Sequence, residues 1–208
     1  CRWRMTEREL GGWLAVEGPL QTTLRLEAAG RRFVYLHIPF DQFGHRYTLA
    51  MTPSRDLKLN ASLDLGDEVD YAAARPGKKL IWSAGAAYSL GRHLVADLRY
   101  SLDRLDVRGG RLFTAELPQA RLLCHFSRSL MFRGIVQWMR IRRRPELYPT
   151  TVAALDQTLI TQLLLSFKLN PRTVFFLGYS DDFLGIAESA LIKKDQSLFM
   201  KVGYALGL

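Results

Sequence analysis

The stretch that decides the fold is LLLSFKLNPRTVFFLGYSDD, from Leu163 to Asp182. Two runs rich in aliphatic and aromatic residues flank Asn170-Pro171-Arg172, a combination typical of a tight turn between strands. In the first run, Phe167 and Leu169 alternate with Lys168, so the lysine lies on the opposite side of the strand from its neighbours. The stretch therefore predicts a β-hairpin with an apolar face and a face that accepts charge.

The same two-residue period continues through most of the chain. Counting the alternating segments gives about eleven strands, which predicts an all-β fold. No run approaches the ~18 apolar residues that a membrane helix needs. At the C-terminal end, the residues that share the apolar face are Leu198, Met200, Val202, Tyr204, Leu206 and Leu208.

The connections between these segments alternate between short and long. Tight polar turns are predicted at Pro53–Asp56, Gly91–His93, Ser127–Ser129 and Asn170–Thr173. Longer polar segments between them cover residues 66–79, 103–113, 142–156 and 180–195. Strands of ~9–11 residues, with short turns at one end and long loops at the other, predict an antiparallel up-and-down transmembrane β-barrel.

In such a barrel the apolar face meets lipid and the polar face meets water or a plug. The candidates for the lumen are the charged residues on the polar side of the strands: Arg25, Lys58, Asp64, Asp97, Arg99, Arg121, Arg133, Lys168 and Lys201. Aromatic residues on the apolar side are expected near the strand ends, where aromatic girdles lie, at Trp82, Tyr88, Tyr100, Trp138 and Tyr204.

An odd number of strands is unusual for a single-chain bacterial barrel. We therefore expect ten to twelve strands, or a place for this chain in a larger barrel. The chain begins at Cys1 and shows no signal peptide, which favours a mature form or the C-terminal part of a longer chain. Residues 1–208 are expected to form one β-barrel domain.

The net charge of +9 indicates an acidic or anionic partner. The sharpest basic cluster is RIRRRP, from Arg140 to Pro145, which at the outer end of a strand would meet outer-membrane lipid and lipopolysaccharide phosphates; a solvated loop is the plain alternative. The other basic residues are spread along strand interiors, so no nucleic-acid partner is expected. The anionic-lipid candidates are Arg140, Arg142, Arg143 and Arg144.

The sequence offers little catalytic or metal-binding chemistry. Its two cysteines, Cys1 and Cys124, form no metal-ligand spacing. The acidic patches Asp67–Asp70 and Ser180–Asp182 lack the spacing of a defined calcium loop, so solvated charges are favoured there. No Ser/His/Asp set follows from the spacing of the four histidines. We predict no cofactor and no catalytic residue.

Several segments resemble the C-terminal barrel of bacterial outer-membrane proteins that carry an N-terminal domain similar to family 9 carbohydrate-binding modules. They are LFTAELPQARLLCHFSRSLMFRGIVQW, RRRPELYP, LLLSFKLNPRTVFFLGYSDDFLG and SLFMKVGYALGL, and the resemblance covers about Pro53–Leu208. It implies a Gram-negative outer-membrane location. The end VGYALGL resembles the insertion signal that the barrel-assembly machinery reads, although it finishes with leucine rather than an aromatic residue.

The function expected from the pattern and the resemblance together is a pore, or a membrane anchor and conduit. It would be linked to carbohydrate binding or uptake through a domain absent here, with a small solute or an oligosaccharide as cargo. The excess of Arg and Lys predicts preference for anions. Two alternatives stay open: an outer-membrane barrel hydrolase, and a soluble lipocalin-like barrel whose apolar faces form a core.

Overall fold

The structure is a computed structural model that describes residues 7–170, 172–186 and 192–205. It is all-β, and consecutive strands pair antiparallel in one up-and-down sheet. Within those ranges β1 and β11 do not pair with each other, and no helix is long and apolar enough to cross a membrane. The strands are β1 (Glu7–Gly18), β2 (Thr22–Tyr35), β3 (Ile38–Ser54), β4 (Leu57–Asp70), β5 (Arg75–Leu90), β6 (Leu94–Val107), β7 (Gly110–His125), β8 (Leu130–Arg143), β9 (Leu155–Asn170), β10 (Thr173–Ile186) and β11 (Ile192–Tyr204).

The two ends of the sheet differ. The turn end is the edge where β1–β2, β3–β4, β5–β6, β7–β8 and β9–β10 are joined, and the loop end is the opposite edge. All four predicted tight turns lie at the turn end. At the loop end, β8 and β9 are joined by residues 144–154, the longest connection among the described residues.

The register keeps apolar residues on one face, called here the apolar face. One row of paired residues on it runs from β1 to β6 through Leu14, Leu26, Tyr47, Leu63, Trp82 and Leu102. The residues between them in sequence form the opposite polar face. Because side chains alternate with a period of two, a slip of one residue in any pair would move apolar side chains to the polar face.

The strands are longer than the sequence predicted. They run from 12 residues in β1 to 17 in β3. Three of the predicted long loops are mostly strand. Only residues 71–74 join β4 to β5, and only residues 108–109 join β6 to β7. In the third, 180–195, β10 covers residues 180–186 and β11 covers residues 192–195. The polar residues in these segments still alternate and still pair across strands, as Asp67 does with Lys78. Polar composition alone was therefore a poor guide to where the strands end.

The apolar face carries a band of apolar side chains that starts at the turn end. On β4 the band runs from Leu57 to Leu65, about 26 Å along the strand at ~3.3 Å per residue. Towards the loop end, each strand then places a charged residue or a glutamine on this face. This charged border consists of Arg8, Arg32, Asp41, Asp67, Lys78, Arg104, Glu116, Arg140, Gln157, Asp181 and Gln196.

The predicted aromatic positions are partly wrong. Tyr88 and Tyr204 lie near strand ends, but Trp82, Tyr100 and Trp138 lie in the middle of their strands. The reason is that the strands continue past the apolar band. Trp138 is nevertheless only two residues from the charged border at Arg140, so it marks the edge of the band rather than the end of β8.

Buried apolar residues occur at the loop end, in two clusters. One contains Phe33, Phe40 and Val69, and the other contains Leu105, Val107 and Leu112. In the band, by contrast, large side chains stay exposed, with Leu98 at 57% and Met200 at 70%. The described part of the chain therefore leaves the band uncovered. Leu206 and Leu208, predicted to extend the apolar face, and Cys1 lie outside the described residues.

Candidate functional site: the polar face of the sheet

The structure places all nine predicted lumen residues on the polar face. The register shows this directly, because Lys58 lies opposite Ala87, Ala87 opposite Asp97, and Asp97 opposite Arg121. Lys168 and Lys201 lie on the same face, opposite Val174 and Phe176 respectively, and thus beside apolar neighbours. That this face surrounds a lumen stays a prediction, because the sheet is open between β1 and β11 in the described residues.

Positive charge is concentrated near the turn end of the polar face. Seven basic residues lie within five residues of that end of their strands, against the three carboxylates of Glu17, Glu27 and Asp97, which leaves an excess of four positive charges. This group, called here the basic belt, consists of Arg25, Lys58, Arg99, Arg121, Arg133, Lys168 and Lys201.

Part of the basic belt is neutralised by neighbouring carboxylates. Asp97 lies 3.1 Å from Arg99 Nε and 3.5 Å from Arg121 Nη2, and Arg25 pairs with Glu27 at 2.5 Å. The other four members have no carboxylate within 4 Å in the part of the chain that the structure describes: Lys58, Arg133, Lys168 and Lys201. Their charge is therefore not neutralised by a carboxylate among the described residues.

A second charged group lies on the polar face nearer the loop end. Arg46 Nη2 is 2.6 Å from Asp64, and Lys79 Nζ is 3.6 Å from both Asp64 and Glu68. Gln42 Nε2 donates to Glu68 Oε1 at 3.1 Å. These contacts link β3, β4 and β5, and they line a depression of ≈ 650 Å³.

Sequence reasoning found Asp64 but missed its partners. Arg46 is not among the predicted lumen residues, and Glu68 and Lys79 lie in the segment 66–79 that was predicted to be a loop. The signal that could have found them is the alternation itself. Continued past Gly66, it puts Glu68 on the face that carries Asp64.

The connection 144–154 folds over the polar face at the loop end. Leu147 and Tyr148 pack against the buried cluster of Leu105, Val107 and Leu112. Burial raises the pKa of the Tyr148 phenol above its ordinary value. The connection therefore covers part of this face instead of extending into solvent.

Contacts across the sheet hold this connection in place. Arg75, the first residue of β5, donates to the Leu147 carbonyl and pairs with Asp70 at 2.8 Å. Gly109 lies beneath, with φ +108° and a position where an added Cβ would be 3.1 Å from Leu147 Cδ2. A residue that follows β8 thus reaches β5, three strands away, so the polar face is concave here.

The four predicted anionic-lipid residues are divided between different environments. Arg140 and Arg142 lie on the apolar face, where Arg142 Nη2 pairs with Glu116 at 3.0 Å. Arg143 lies on the polar face, paired with Asp156, and Arg144 donates to the Gly109 carbonyl at 3.4 Å. Because side chains alternate between the two faces, the residues of this one sequence cluster lie on different faces of the sheet. Arg143 and Arg144 help to hold the 144–154 connection.

The acidic patch Asp67–Asp70 has basic partners, and in the patch Ser180–Asp182 the Asp181 carboxylate lies 3.7 Å from Lys193 Nζ. Asp67 pairs with Lys78, and Asp70 pairs with Arg75. Within the described ranges, no group of three or more His, Cys, Asp or Glu residues is placed to hold a metal ion. His93 Nδ1 lies 2.9 Å from the His125 carbonyl, a contact that ties the β5–β6 turn to β7.

Two comparisons bear on the resemblance stated above. No protein-family model matches it, and no similar curated protein is found. The resemblance to outer-membrane barrels that accompany carbohydrate-binding-type domains therefore stays a prediction.

Proposed function

We propose that this chain forms the wall of a β-barrel in a Gram-negative outer membrane, where it acts as a pore or as a membrane anchor and conduit. The observation that supports this most directly is the apolar band. Exposed and half-buried apolar side chains line this face on eleven neighbouring strands, and a charged residue or a glutamine ends the band on each of them. Lipid is the solvent that favours such a surface. The band on β4 is about 26 Å tall, which is close to the ~25 Å apolar band of transmembrane β-barrels.

The basic belt supports a preference for anions. Inside a barrel, a ring of Arg and Lys raises the local concentration of anionic solutes and repels cations. The 144–154 connection would narrow the lumen at the loop end, because it already lies over the concave polar face. The resemblance adds that the cargo is a small solute or an oligosaccharide delivered by a carbohydrate-binding domain.

Strand direction sets a condition on closure. β1 and β11 are both odd-numbered strands of an up-and-down sheet, so they run the same way and would pair parallel. A fully antiparallel barrel needs an odd number of additional strands between them. We propose that such strands fill the seam, because a membrane barrel cannot leave either edge unpaired.

Extraction tests the membrane assignment. The chain is expressed, extracted with and without detergent, and run on a gel unheated and boiled. We expect a detergent-dependent protein with a β-rich, heat-modifiable band. A monodisperse protein without detergent would overturn the assignment and make the apolar band the core of a soluble ligand-binding barrel.

Conductance in planar bilayers tests the pore. The protein is expected to favour anions, and Arg133→Glu with Lys168→Glu should reduce or reverse that preference. Arg55→Glu, in the β3–β4 turn, is the control for the change in charge and should have a smaller effect. An unselective or cation-selective parent channel would contradict the role of the basic belt.

Cysteine cross-linking in the membrane tests the seam. Leu177→Cys with Met200→Cys, which are register partners on β10 and β11, should form a disulfide. Leu10→Cys on β1 with Met200→Cys should not, because a strand inserted between β1 and β11 would hold these two strands about 10 Å apart, too far for a disulfide. Efficient β1–β11 cross-linking, with positions scanned along β1, would show that eleven strands close directly.

A further inference from the structure

A groove of ≈ 600 Å³ lies on the apolar face across β4 to β8. Small side chains form its floor and leave the space above them open, with Ala84 and Ala86 on β5 and Ala120 on β7. Tyr100 and Trp138 stand beside them, and the lining is almost entirely apolar. The dimensions suit an extended hydrocarbon chain rather than a polar ligand.

The groove ends at a basic part of the charged border. Beyond the band on β6, β7 and β8, the apolar face carries four arginines and two carboxylates. Arg104 Nη2 and Arg111 Nε both form ion pairs with the Asp106 carboxylate, at 2.7 and 3.4 Å, and Arg142 forms an ion pair with Glu116. An excess of two positive charges remains.

Arg140 is the unpaired member of this group. Its Nε is buried and has no hydrogen-bond partner within the described residues, and no carboxylate pairs with its guanidinium there. It follows Trp138 by two residues on the same face, so the backbone at Arg140 lies about 7 Å along the strand from that at Trp138, at the edge of the groove. A guanidinium without a carboxylate partner at the edge of an apolar surface favours an anion, which would pair with its charge.

We propose that the groove and Arg140 form one binding site for a phosphorylated lipid of the outer leaflet. An acyl chain lies against Ala84, Ala86 and Ala120, and the lipid phosphate accepts hydrogen bonds from Arg140 at the border. This inference rests on the proposed membrane location. It adds a specific lipid site to it, in place of general contact with the bilayer.

The groove lies next to an excess of positive charge, and this combination favours a phosphorylated lipid as the occupant. A smaller depression of ≈ 170 Å³ on the same face, beside Tyr47 and Trp82, lies under a part of the border where Arg32 pairs with Asp41 and Lys78 pairs with Asp67, so no excess charge remains there. A second copy of the chain docked across a twofold axis would bring two arginine groups together, which is unfavourable. A phosphorylated lipid satisfies both the apolar lining and the positive end.

Native mass spectrometry of the folded protein in neutral detergent tests the site. The probes are lipid A, phosphatidylcholine and inorganic phosphate. We expect one tightly retained lipid A and about tenfold weaker binding in Arg140→Gln, consistent with loss of a charge-assisted hydrogen bond. Ala120→Phe, which fills the groove, should weaken binding by a similar factor.

Matched controls separate the site from the rest of the surface. Arg32→Gln removes a border arginine of β2 that pairs with Asp41, and Ala28→Phe adds a ring elsewhere on the apolar face. Both should bind lipid A like the parent, and all variants must keep the heat-modifiable band. Equal retention of phosphatidylcholine, saturable binding of phosphate alone, or insensitivity to both site variants would overturn the lipid site while leaving the membrane assignment intact.

Discussion

The apolar band and the loop end are made of the same strands, yet their side chains are packed in opposite ways. At the loop end, Leu112 is 2% exposed and Leu105 is 6% exposed, within a cluster that the 144–154 connection covers. In the band, Leu98 on the same strand as Leu105 is 57% exposed. One strand thus carries a leucine that the protein buries and a leucine that it leaves uncovered.

This difference shows that the protein stabilises only part of its sheet by its own packing. Burial of an apolar side chain contributes roughly 1.5–3 kcal/mol, and the described residues do not fully bury the side chains of the band. In the proposed membrane location, lipid would supply that contribution without any change in the strands. The loop end, with its buried clusters and ion pairs, has the chemistry of a domain in water.

The largest difference between the regions should appear on truncating a leucine in each. Leu112→Ala removes a fully buried side chain and should cost about 2–5 kcal/mol of unfolding free energy. Leu98→Ala leaves no cavity because lipid fills the space, so we expect about 1 kcal/mol. Urea unfolding of the folded protein in lipid vesicles measures both, and equal costs would contradict the distinction.

A charge placed in the band tests which face meets lipid. Leu63→Arg puts a guanidinium on the apolar face near the middle of the band and should cost about 2–4 kcal/mol in a bilayer. Ser62→Arg is the matched control on the polar face, where only the Ser62–Ser83 hydroxyl contact of 2.8 Å is lost. If Ser62→Arg were the more damaging change, the faces would be reversed.

The sequence alone predicted the strand number and the two faces. Alternation carries that information locally, so Lys58, Asp97 and Arg121 were placed on one face before their register was known. The strand ends at the loop end could not be found in this way, because Asp67 and Lys78 look like loop residues until each is seen opposite the other.

The site required information that no local pattern holds. The Arg46–Asp64–Lys79 group depends on the pairing of three strands. The fold of the 144–154 connection depends on Arg75, which lies 72 positions before Leu147. Such contacts follow from tertiary structure and leave no periodic signal.

A substitution in the 144–154 connection tests the same difference between the apolar band and the loop end, with a smaller expected effect. Leu147→Ser weakens its contact with the Leu105 cluster and should cost roughly 1–2 kcal/mol, since Leu147 is only partly buried. If the connection narrows a lumen, conductance should rise in the same variant. Glu146→Ser, at an exposed neighbouring position, is the control and should leave conductance unchanged.

The smallest effect is expected from removing ion pairs on the polar face. The salt dependence of that effect reports whether water reaches the polar face both towards the loop end and near the turn end. Asp64 lies towards the loop end and Asp97 lies in the basic belt, and their side chains are 12% and 16% exposed. Their arginine partners are more than half exposed, so each of Asp64→Asn and Asp97→Asn should cost only about 0.5–1 kcal/mol at low salt. At ~1 M salt, where screening acts within ~3 Å, both losses should shrink together if water fills the interior. A loss at Asp97 that is large and independent of salt would mean that the belt is sealed from water, and the protein would then be an anchor with a plugged interior rather than an open pore.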